Sequence, residues 1–387
     1  MQKINYFNLI DLGSSKIRFS VIDKNLNQKF TKTKKIEFDK EYKNQFNIIN
    51  EIVREAEKKI SFHIEDIILI LDTPNLLTVD ISLKKKFDKS TKLIKAYDSL
   101  VLELNQLIIS HYSNYSLTHI VVNNCNINEN YYDELPKSLN NCKNIKIEFK
   151  VILIPKKLVT NLTNNFIKIN LNVINIFCTS YVKSISYLKT LGLKKISFLE
   201  IGWERSTLIT YKKNKLKFIT TIPVGSSHIT KDISNIFKIS LDDAEKIKKL
   251  FNKSETEFSY ENKNEPEVAS IKEIIRKNIS IDLLKKVILY RVQEIIDLIF
   301  IKSSIKESDS NLKDFELFLI GEGSTLFQTN SFYLNDKFLF KSMNYYPEDD
   351  FKICKSGLNY YLNNYEIPKI INKKHGIFEK FFNYFSR

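Results

Sequence analysis

The chain has 387 residues and a mass of 45.5 kDa, which is enough for two or three hydrophobic cores. Hydrophobic residues at 43% and charged residues at 27% exclude a disordered chain. No apolar run approaches the roughly 18–20 residues that cross a bilayer, and the first residues lack the pattern of a secretory signal. We therefore expect the N-terminal half to stay in the cytoplasm. The net charge of +15 is spread evenly among acidic residues, which argues against a nucleic-acid partner.

The predicted elements begin with a β-hairpin. Apolar alternation over residues 6–23 predicts two strands joined by the turn Gly13-Ser14-Ser15, and a third strand is predicted at Lys34–Phe38. Strands and helices then alternate, apart from one interruption. The other predicted elements of the first half are the helix Ile48–Ile60, the strand Asp66–Leu71, the strand Phe149–Ile154, the helix Pro155–Ile167, the strand Val173–Phe177 and the helix Tyr181–Leu191.

The interruption lies at about residues 73–144. A strand at Leu76–Leu83 ends in the polar stretch Lys84–Lys92, and an amphipathic helix then runs from Leu93 to about Ser110. A further strand at His119–Val122 leads into an Asn-rich segment that has the composition of a loop. This pattern predicts a small α+β insertion with its own core. Because it contains no turn of the phosphate-binding type, we expect it to contact partners rather than a nucleotide.

The second half opens as the first does. Strands at Ile196–Ile201, Thr207–Tyr211 and Leu216–Pro223 form a meander with a tight turn after the first strand, which predicts a duplicated architecture. Helices follow, and Ser240-x-x-Asp243 has the pattern of a helix start. The remaining predictions are a helix at Leu241–Phe251, one or two helices within Ile271–Ile301, and a strand at Phe315–Ile320.

The turn of the first hairpin is the strongest chemical signal. In Asp11-Leu12-Gly13-Ser14-Ser15-Lys16 a strand ends in a carboxylate, and small residues form a turn whose backbone N–H groups can face a phosphate. Ser14 and Ser15 add hydroxyl donors, Lys16 adds positive charge, and Asp11 can hold Mg²⁺ through water. A plain hairpin turn is the alternative at this point.

Three further segments have the composition of a nucleotide site. Glu200-Ile201-Gly202 ends the first strand of the second half, at the place equivalent to the first turn. Ile320-Gly321-Glu322-Gly323-Ser324 is a glycine turn after a strand, suited to close approach by an adenosine or a phosphate. In Ala244-Glu245-Lys246-Ile247-Lys248 the spacing places Glu245 and Lys248 on one helix face, a pattern that is also typical of a solvated charge pair.

The order of these motifs resembles the actin, Hsp70 and sugar-kinase ATPase superfamily, and within it the FtsA family of bacterial cell-division proteins. Residues 199–251 keep the IPxG, T-x-D-I and D-A-E-x-I-K patterns of that family, and the resemblance covers essentially the whole chain. It implies an α/β, actin-like, two-lobed fold with an inserted α+β subdomain and a C-terminal amphipathic helix. The implied boundaries are 1–72 and 151–194 for the first lobe, 73–150 for the insertion, 195–235 and 315–350 for the second lobe, 236–314 for a helical nucleotide-contacting subdomain, 351–365 for a return helix, 366–374 for a linker and 375–387 for a membrane-targeting helix.

The resemblance also implies ATP and Mg²⁺ as cofactors. The implied nucleotide-binding residues are Asp11, Gly13, Ser14, Ser15, Lys16, Gly202, Glu245, Lys248, Gly321, Gly323 and Ser324, with Asp11 also holding Mg²⁺ through water and with Asp11 and Glu200 as candidate catalytic carboxylates. Where the family has DIGGGT, this chain has Glu200-Ile201-Gly202-Trp203-Glu204-Arg205, and the usual glycine pair of the adenosine loop has become Gly321-Glu322. We therefore expect ATP binding with slow or absent hydrolysis.

The last residues have the pattern of an amphipathic helix. A polar linker and two lysines precede them, and the apolar residues fall on one helix face, namely Ile377, Phe378, Phe381, Phe382 and Phe385. This pattern favours a helix that lies in the surface of an anionic membrane, and the FtsA family ends in such a helix too. Docking of the helix into the protein's own core is the alternative.

The function implied is that of a cell-division protein at the cytoplasmic face of the inner membrane. It would polymerise at the division site, tether FtsZ filaments and contact other divisome proteins and copies of itself. Two alternatives remain: an actin-like adaptor of a pilus or secretion machine, and a superfamily enzyme such as a sugar kinase or an exopolyphosphatase. The bulky second loop argues against the enzyme, which needs an intact phosphate loop and a catalytic carboxylate.

Overall fold

A computed structural model describes residues 6–36, 43–136, 139, 141–251, 279–302, 312–327 and 340–363. The first half contains β1 (Tyr6–Leu12), β2 (Lys16–Asp23), β3 (Gln28–Lys35), α1 (Lys43–Ile60), β4 (Asp66–Leu71), β5 (Leu77–Thr91), α2 (Leu93–His111), β6 (Tyr115–Ile127), β7 (Asn130–Tyr132), β8 (Cys142–Pro155), α3 (Lys156–Lys168), β9 (Asn172–Cys178) and α4 (Thr179–Leu191). The second half contains β10 (Lys195–Ile201), β11 (Ser206–Lys212), β12 (Lys215–Ile222), α5 (Ser226–Phe237), α6 (Leu241–Phe251), α7 (Ile281–Lys302), β13 (Glu316–Ile320), β14 (Ser342–Tyr345) and α8 (Asp350–Asn363), with 3₁₀ turns at Leu312–Asp314 and Glu322–Phe327. Of the helices in these ranges, none combines the length and apolar character that crossing a membrane requires.

Two five-stranded sheets of the same design form the two halves. Their strand orders are β3-β2-β1-β4-β9 and β12-β11-β10-β13-β14. In each sheet an antiparallel hairpin continues into parallel strands, through β1 and β4 in the first sheet and through β10 and β13 in the second. The duplicated layout predicted from the two hairpin openings is therefore confirmed.

Helices α4 and α8 pack between the two sheets and join them in one core. This core contains Leu9 and Ile70 from the first sheet, Phe198 and Ile320 from the second, and Val182 from α4. Close packing is needed here, because a Cβ on Gly357 of α8 would lie 2.9 Å from the side chain of Ile70. The outer faces are covered by α1 and α3 on the first sheet and by α5, α6 and α7 on the second. As a result, the loops that follow β1, β4, β10 and β13 meet at one cleft.

The inserted segment forms a third sheet of order β5-β8-β6-β7, which α2 covers with its apolar face. The sheet is anchored in the body of the protein by β6, where the fully buried ring of His119 packs against Phe177, Tyr181 and Tyr360. It also reaches the second lobe, since Lys215 pairs with Asp133 at 2.5 Å. β8 starts seven residues before the predicted strand Phe149–Ile154 and pairs with β5 and β6 up to Leu153 and Pro155, so residues 151–155 belong to the third sheet.

Three other strand predictions were wrong in extent, for one reason. The structure places the third strand at Gln28–Lys35 rather than Lys34–Phe38, extends β5 through the polar stretch Lys84–Lys92 as far as Thr91, and extends β6 through the Asn-rich segment to Ile127. Each strand is held by pairing with a neighbour: β3 by β2, and β5 and β6 by β8. Backbone pairing does not require apolar side chains on the solvent face, so the polar segments gave no strand signal. Residues 37 and 38 lie outside the described residues.

Candidate functional site

The cleft between the two sheets brings the predicted turns together. It encloses a cavity of about 120 Å³ that is lined by the turn after β1, the turn after β10 and the glycine turn after β13. Small-molecule sites usually enclose about 300–1,000 Å³. The cleft is narrow because charged side chains of the chain itself fill it. Of the predicted site residues, the lining contains Asp11, Gly13, Ser14, Ser15, Glu200, Gly202 and Gly321.

The first turn is a tight hairpin that presents small residues to the cavity. The Gly13 N–H donates to the Lys16 carbonyl over 3.0 Å, and a Cβ on Gly13 would lie 2.9 Å from that oxygen. Glycine is therefore required by the turn itself. Lys16 crosses the cleft to form an ion pair with Glu322 of the glycine turn. The turn thus keeps the hydroxyls of Ser14 and Ser15 at the cavity while its lysine is engaged.

Asp11, the carboxylate before the first turn, has a partner at each oxygen. Its Oδ2 accepts from Nη1 of Arg18 over 2.7 Å, and its Oδ1 accepts from the Thr179 hydroxyl over 3.0 Å. Arg18 also pairs with Asp350 at the start of α8. Burial raises the pKa of Asp11, and the nearby positive charges of Arg18 and Lys183 only partly offset this.

The second turn has the same backbone as the first but is packed against a helix. The Gly202 N–H donates to the Arg205 carbonyl over 2.9 Å. The first N–H groups of α5, from Ser226 and Ser227, donate to the carbonyls of Gly202 and Trp203 over 2.9 and 2.8 Å. The N–H groups at a helix start are often free to bind an anion. Here they bind the second turn.

The candidate catalytic carboxylate Glu200 is held in a buried ion pair. Its oxygens accept from Nζ of Lys183 over 2.7 Å and from the Ser180 hydroxyl. Burial alone would raise the pKa of Glu200, but Lys183 and Arg205 outweigh it and lower the pKa to about 2. Lys183 also pairs with Glu348 at 3.0 Å, and Glu348 accepts from the Gly321 N–H over 2.7 Å.

A further ion pair joins the lobes through Arg205, the last residue of the second turn. Its Nη2 donates to Asp72, which follows β4, and its Nη1 donates to the Thr207 hydroxyl over 3.2 Å. Burial would lower the pKa of Arg205, but Asp72 and Glu200 outweigh it and raise the pKa. Asp72 also accepts from the Ser180 N–H over 3.0 Å, and the Ser180 hydroxyl lies between Asp72 and Glu200, where its one proton can be donated to either carboxylate but not to both at once.

The glycine turn after β13 is shaped by packing. Gly321 has a φ of 87°, which favours glycine, and a Cβ on Gly323 would lie 2.6 Å from the side chain of Ile201. The hydroxyl of the buried Ser324 donates to the Ile320 carbonyl. Gly321 lines the cleft, whereas the other two residues support the turn from behind.

Glu245 and Lys248 lie on one face of α6, as predicted, but that face contacts α5. Lys248 is 3% exposed and donates to the Ser226 carbonyl and the Thr230 hydroxyl over 3.1 and 2.8 Å. Glu245 accepts from the same hydroxyl over 2.6 Å. Burial lowers the pKa of Lys248 although Glu245 partly offsets it. The solvated-pair interpretation is therefore wrong for this pair. Lys248 also contacts the second turn, because its Nζ lies over the ring of Trp203 at 5.0 Å from the ring centre.

The donor set of the cleft does not fit Mg²⁺. That ion is usually held by one or two free carboxylates with several waters. Here Asp11, Asp72 and Glu200 are engaged by Arg18, Arg205 and Lys183. Within the described ranges, no three His, Cys, Asp or Glu side chains are arranged to hold a metal ion. The arginine already paired with Asp11 therefore argues against the predicted Mg²⁺ site at this residue.

The residues that sequence reasoning missed are these cations and their partners: Arg18, Asp72, Lys183, Arg205, Glu348 and Asp350. One signal was available, because Arg18 stands directly opposite Asp11 in a hairpin that was correctly predicted. The others come from distant parts of the chain.

Comparison with known proteins shows which family part of this chain resembles. Residues 198–343 match the sequence model of the family described as "Cell division protein FtsA". Curated FtsA proteins of two Helicobacter pylori strains are 27% identical over 108 residues, which is 27% of this chain and 21% of each relative. The resemblance to FtsA is confirmed. The match spans about a fifth of the length of these curated relatives.

Solved structures extend the likeness to the whole fold. A PilM–PilN type IV pilus biogenesis complex matches with a TM-score of 0.56 at 13% identity, over 92% of this chain and 95% of that chain. MreB 5 of Spiroplasma citri bound to AMPPNP matches with a TM-score of 0.53 at 10% identity, over 93% and 96%. The chain has the actin-like ATPase fold. The predicted membrane residues Ile377, Phe378, Phe381, Phe382 and Phe385, with the linker before them, lie outside the described residues.

Proposed function

We propose that this chain is an FtsA-like adaptor of cell division that polymerises at the cytoplasmic face of the inner membrane and tethers FtsZ filaments there. One observation supports this most. The residues that match FtsA, 198–343, include most of β10, the second turn and the glycine turn, which line the cleft, and α5, which binds the second turn from behind. The resemblance therefore falls on the part of the fold that the family uses for its nucleotide.

ATP is the proposed ligand of the cleft, with its phosphates at the turn from Gly13 to Lys16. The hydroxyls of Ser14 and Ser15 line the cavity and are the donors that support this. The cavity of about 120 Å³ is small for a nucleotide, and the ion pair between Lys16 and Glu322 joins the two turns at its edge, so we expect this pair to open when ATP enters. Both side chains are partly exposed, at 17% and 47%, so water can replace the pair at small cost.

Hydrolysis is proposed to be slow or absent. A general base works best when its pKa lies near the working pH. Glu200 has a pKa of about 2 and is bound to Lys183, so it is a poor base at neutral pH. Trp203 and Glu204 also stand at the second turn, and the charge of Glu204 opposes a terminal phosphate. The protein would therefore use ATP as a structural ligand.

Partner contacts are assigned to the insertion. Its helix α2 buries one face on the third sheet and exposes Leu102 and Ile109 on the other, at 63% and 71%. The insertion has its own core, and none of its described residues beyond Pro74 lines the cleft. We propose this subdomain as the surface for other copies of the chain and for later divisome proteins.

The proposal is tested by sedimentation with FtsZ filaments and vesicles that contain anionic lipid. The full chain with ATP should carry FtsZ to the vesicles, whereas a chain that ends at Asn372 should leave FtsZ in the supernatant. Phe381→Asp should behave like the shortened chain, because it places a charge in the predicted apolar face. Phe62→Asp is the matched control, since Phe62 is an exposed phenylalanine of the first lobe.

Two results would count against the division role. If the full chain reaches the vesicles but never retains FtsZ, the adaptor of a pilus or secretion machine is the better assignment. If all variants sediment equally, the last residues do not anchor the protein. A sugar kinase or exopolyphosphatase would instead show phosphoryl transfer or phosphate release from its substrate. The ion pair of Glu200 with Lys183 argues against this activity, because it leaves no free carboxylate at that position to act as a base.

A further inference from the structure

The cleft contains buried carboxylates from both halves of the fold that need positive charge nearby. Asp11 is the second-last residue of β1, Asp72 follows the neighbouring strand β4, and Glu200 is the second-last residue of β10 in the second sheet. Their side chains are 4%, 2% and 8% exposed. Like charges so placed repel one another across a medium of low dielectric constant, so a cation between them is required for the cleft to close.

Arg205 lies at the point where the three carboxylates converge. It donates to Asp72 across the cleft, and it interacts electrostatically with Glu200 and Asp11. The other two cations approach from the sides, since Arg18 pairs with Asp11 and Asp350 and Lys183 pairs with Glu200 and Glu348. Lys183 of α4 also joins the lobes by pairing with Glu200, but Arg205 differs in that it connects the loop after β10 to the loop after β4.

The position of Arg205 is fixed by its backbone. Its carbonyl closes the second turn by accepting from the Gly202 N–H, and a Cβ on Gly225 at the start of α5 would lie 2.7 Å from its backbone nitrogen. The Thr207 hydroxyl holds one guanidinium nitrogen at 3.2 Å. A guanidinium so held presents a planar set of donors to a carboxylate and stays charged at every accessible pH.

We propose that the guanidinium of Arg205 is the resident cation of this cleft and joins the two lobes without a divalent metal. A bound Mg²⁺ would neutralise the same carboxylates, but it can leave, whereas Arg205 cannot. The cleft of this protein would therefore close in the absence of metal. This inference does not depend on ATP binding, since it concerns the charges that the chain supplies to itself.

The test measures thermal unfolding of the full chain through the fluorescence of Trp203, the one tryptophan of the sequence and a neighbour of Arg205 in the same turn. Unfolding of the wild type, Arg205→Met, Arg205→Lys and Arg54→Met is followed in about 10 mM MgCl₂ and in NaCl of equal ionic strength, without nucleotide. Arg54→Met is the matched control, because Arg54 is exposed on α1.

The wild type and Arg54→Met should have the same Tm in both salts. Arg205→Met should lose roughly 5–10 °C in NaCl, because a buried carboxylate loses its partner, and should recover part of that loss in MgCl₂. Arg205→Lys keeps the charge and should lose less. A wild-type Tm that rises saturably with MgCl₂ would overturn the proposal even if Arg205→Met does not fold. An Arg205→Met variant as stable as the control, or one that MgCl₂ does not rescue, would also overturn it.

Discussion

The two hairpin turns that face each other across the cleft share one backbone and differ in their side chains. Both close by a glycine N–H that donates to the carbonyl three residues later, over 3.0 Å in the first turn and 2.9 Å in the second. Between these positions the first turn carries Ser14 and Ser15, and the second carries Trp203 and Glu204. The shared geometry of the two turns therefore serves packing. The chemistry suited to a phosphate remains in the first turn alone.

The carboxylates that precede the two turns differ in the same way. Burial raises the pKa of Asp11, whereas Lys183 and Arg205 outweigh burial at Glu200 and lower its pKa to about 2. Folding therefore shifts the pKa values of Asp11 and Glu200 in opposite directions, although the two residues occupy equivalent positions in the two sheets. At neutral pH ionised Glu200 stabilises the closed cleft, while ionised Asp11 is held at a cost.

The largest effect is expected at Lys183, which pairs with Glu200 just before the second turn. Lys183→Met leaves Glu200 and Glu348 without their shared cation in a site where Lys183 is 2% exposed. Removing one partner of a buried ion pair costs about 3–5 kcal/mol, so the free energy of unfolding in urea should fall by that amount. Lys189→Met on the exposed face of α4 is the control. Equal losses in the two variants would show that the buried ion pair stabilises the protein no more than the exposed Lys189 does.

A second substitution separates the roles of the two turns. Gly13→Val places its Cβ 2.9 Å from the Lys16 carbonyl, so the first turn must open and lose its donors. Loss of two bonds to a charged phosphate should weaken ATP binding by about 100-fold or more in calorimetry. Gly202→Val disturbs the contact of α5 with the second turn and should lower Tm more than it lowers ATP affinity. If both variants bind ATP like the wild type, the first turn is a plain hairpin.

A third measurement compares the carboxylates over pH. Because folding lowers the pKa of Glu200 from 4.5 to about 2, its contribution is complete above about pH 4.5 and is lost as the pH falls toward 2. Glu200→Gln should lower the free energy of unfolding by about 1.5–3 kcal/mol at pH 7. The free energy of unfolding of this variant should also depend less on pH between about pH 4.5 and pH 2. Because the pKa of Asp11 is raised, its contribution is greatest at low pH and is lost as the pH rises, so Asp11→Asn should lose less at pH 7. Equal losses, with parallel pH profiles, would remove the distinction between the two positions.

The smallest effect is expected from making the second turn resemble the first. Glu204 is exposed at the cleft, and its charge opposes a terminal phosphate through a partly aqueous medium. Glu204→Ser should therefore tighten ATP binding by up to about tenfold, which calorimetry at low salt would detect. Glu65→Ser, which removes an exposed charge at the far end of β4, should leave the affinity unchanged. A weaker affinity in Glu204→Ser would mean that Glu204 assists the ligand.

Local sequence patterns were enough to predict the elements that have apolar faces and the turns that join them. Alternation in β1 and β2 predicted the first hairpin, its repetition in β10–β12 predicted the second sheet, and the glycine turn after β13 was placed correctly. The sequence also predicts a phosphate-binding role for the first turn, because a carboxylate, small residues and a lysine are consecutive there. These are local properties, since spacing along a chain fixes which side of a strand or helix a residue occupies.

The surroundings of those residues depend on tertiary contacts between elements that are distant in the sequence. Lys84–Thr91 is a strand because β8 pairs with it, and His119 is buried because Phe177 and Tyr360 from remote elements enclose it. In the cleft, Arg205 and Asp72 are 133 residues apart, so no local pattern identifies them as partners. Whether a carboxylate is free for a metal depends on which charges the fold brings within a few ångströms of it, and that distance is set only when both sheets close on α4 and α8.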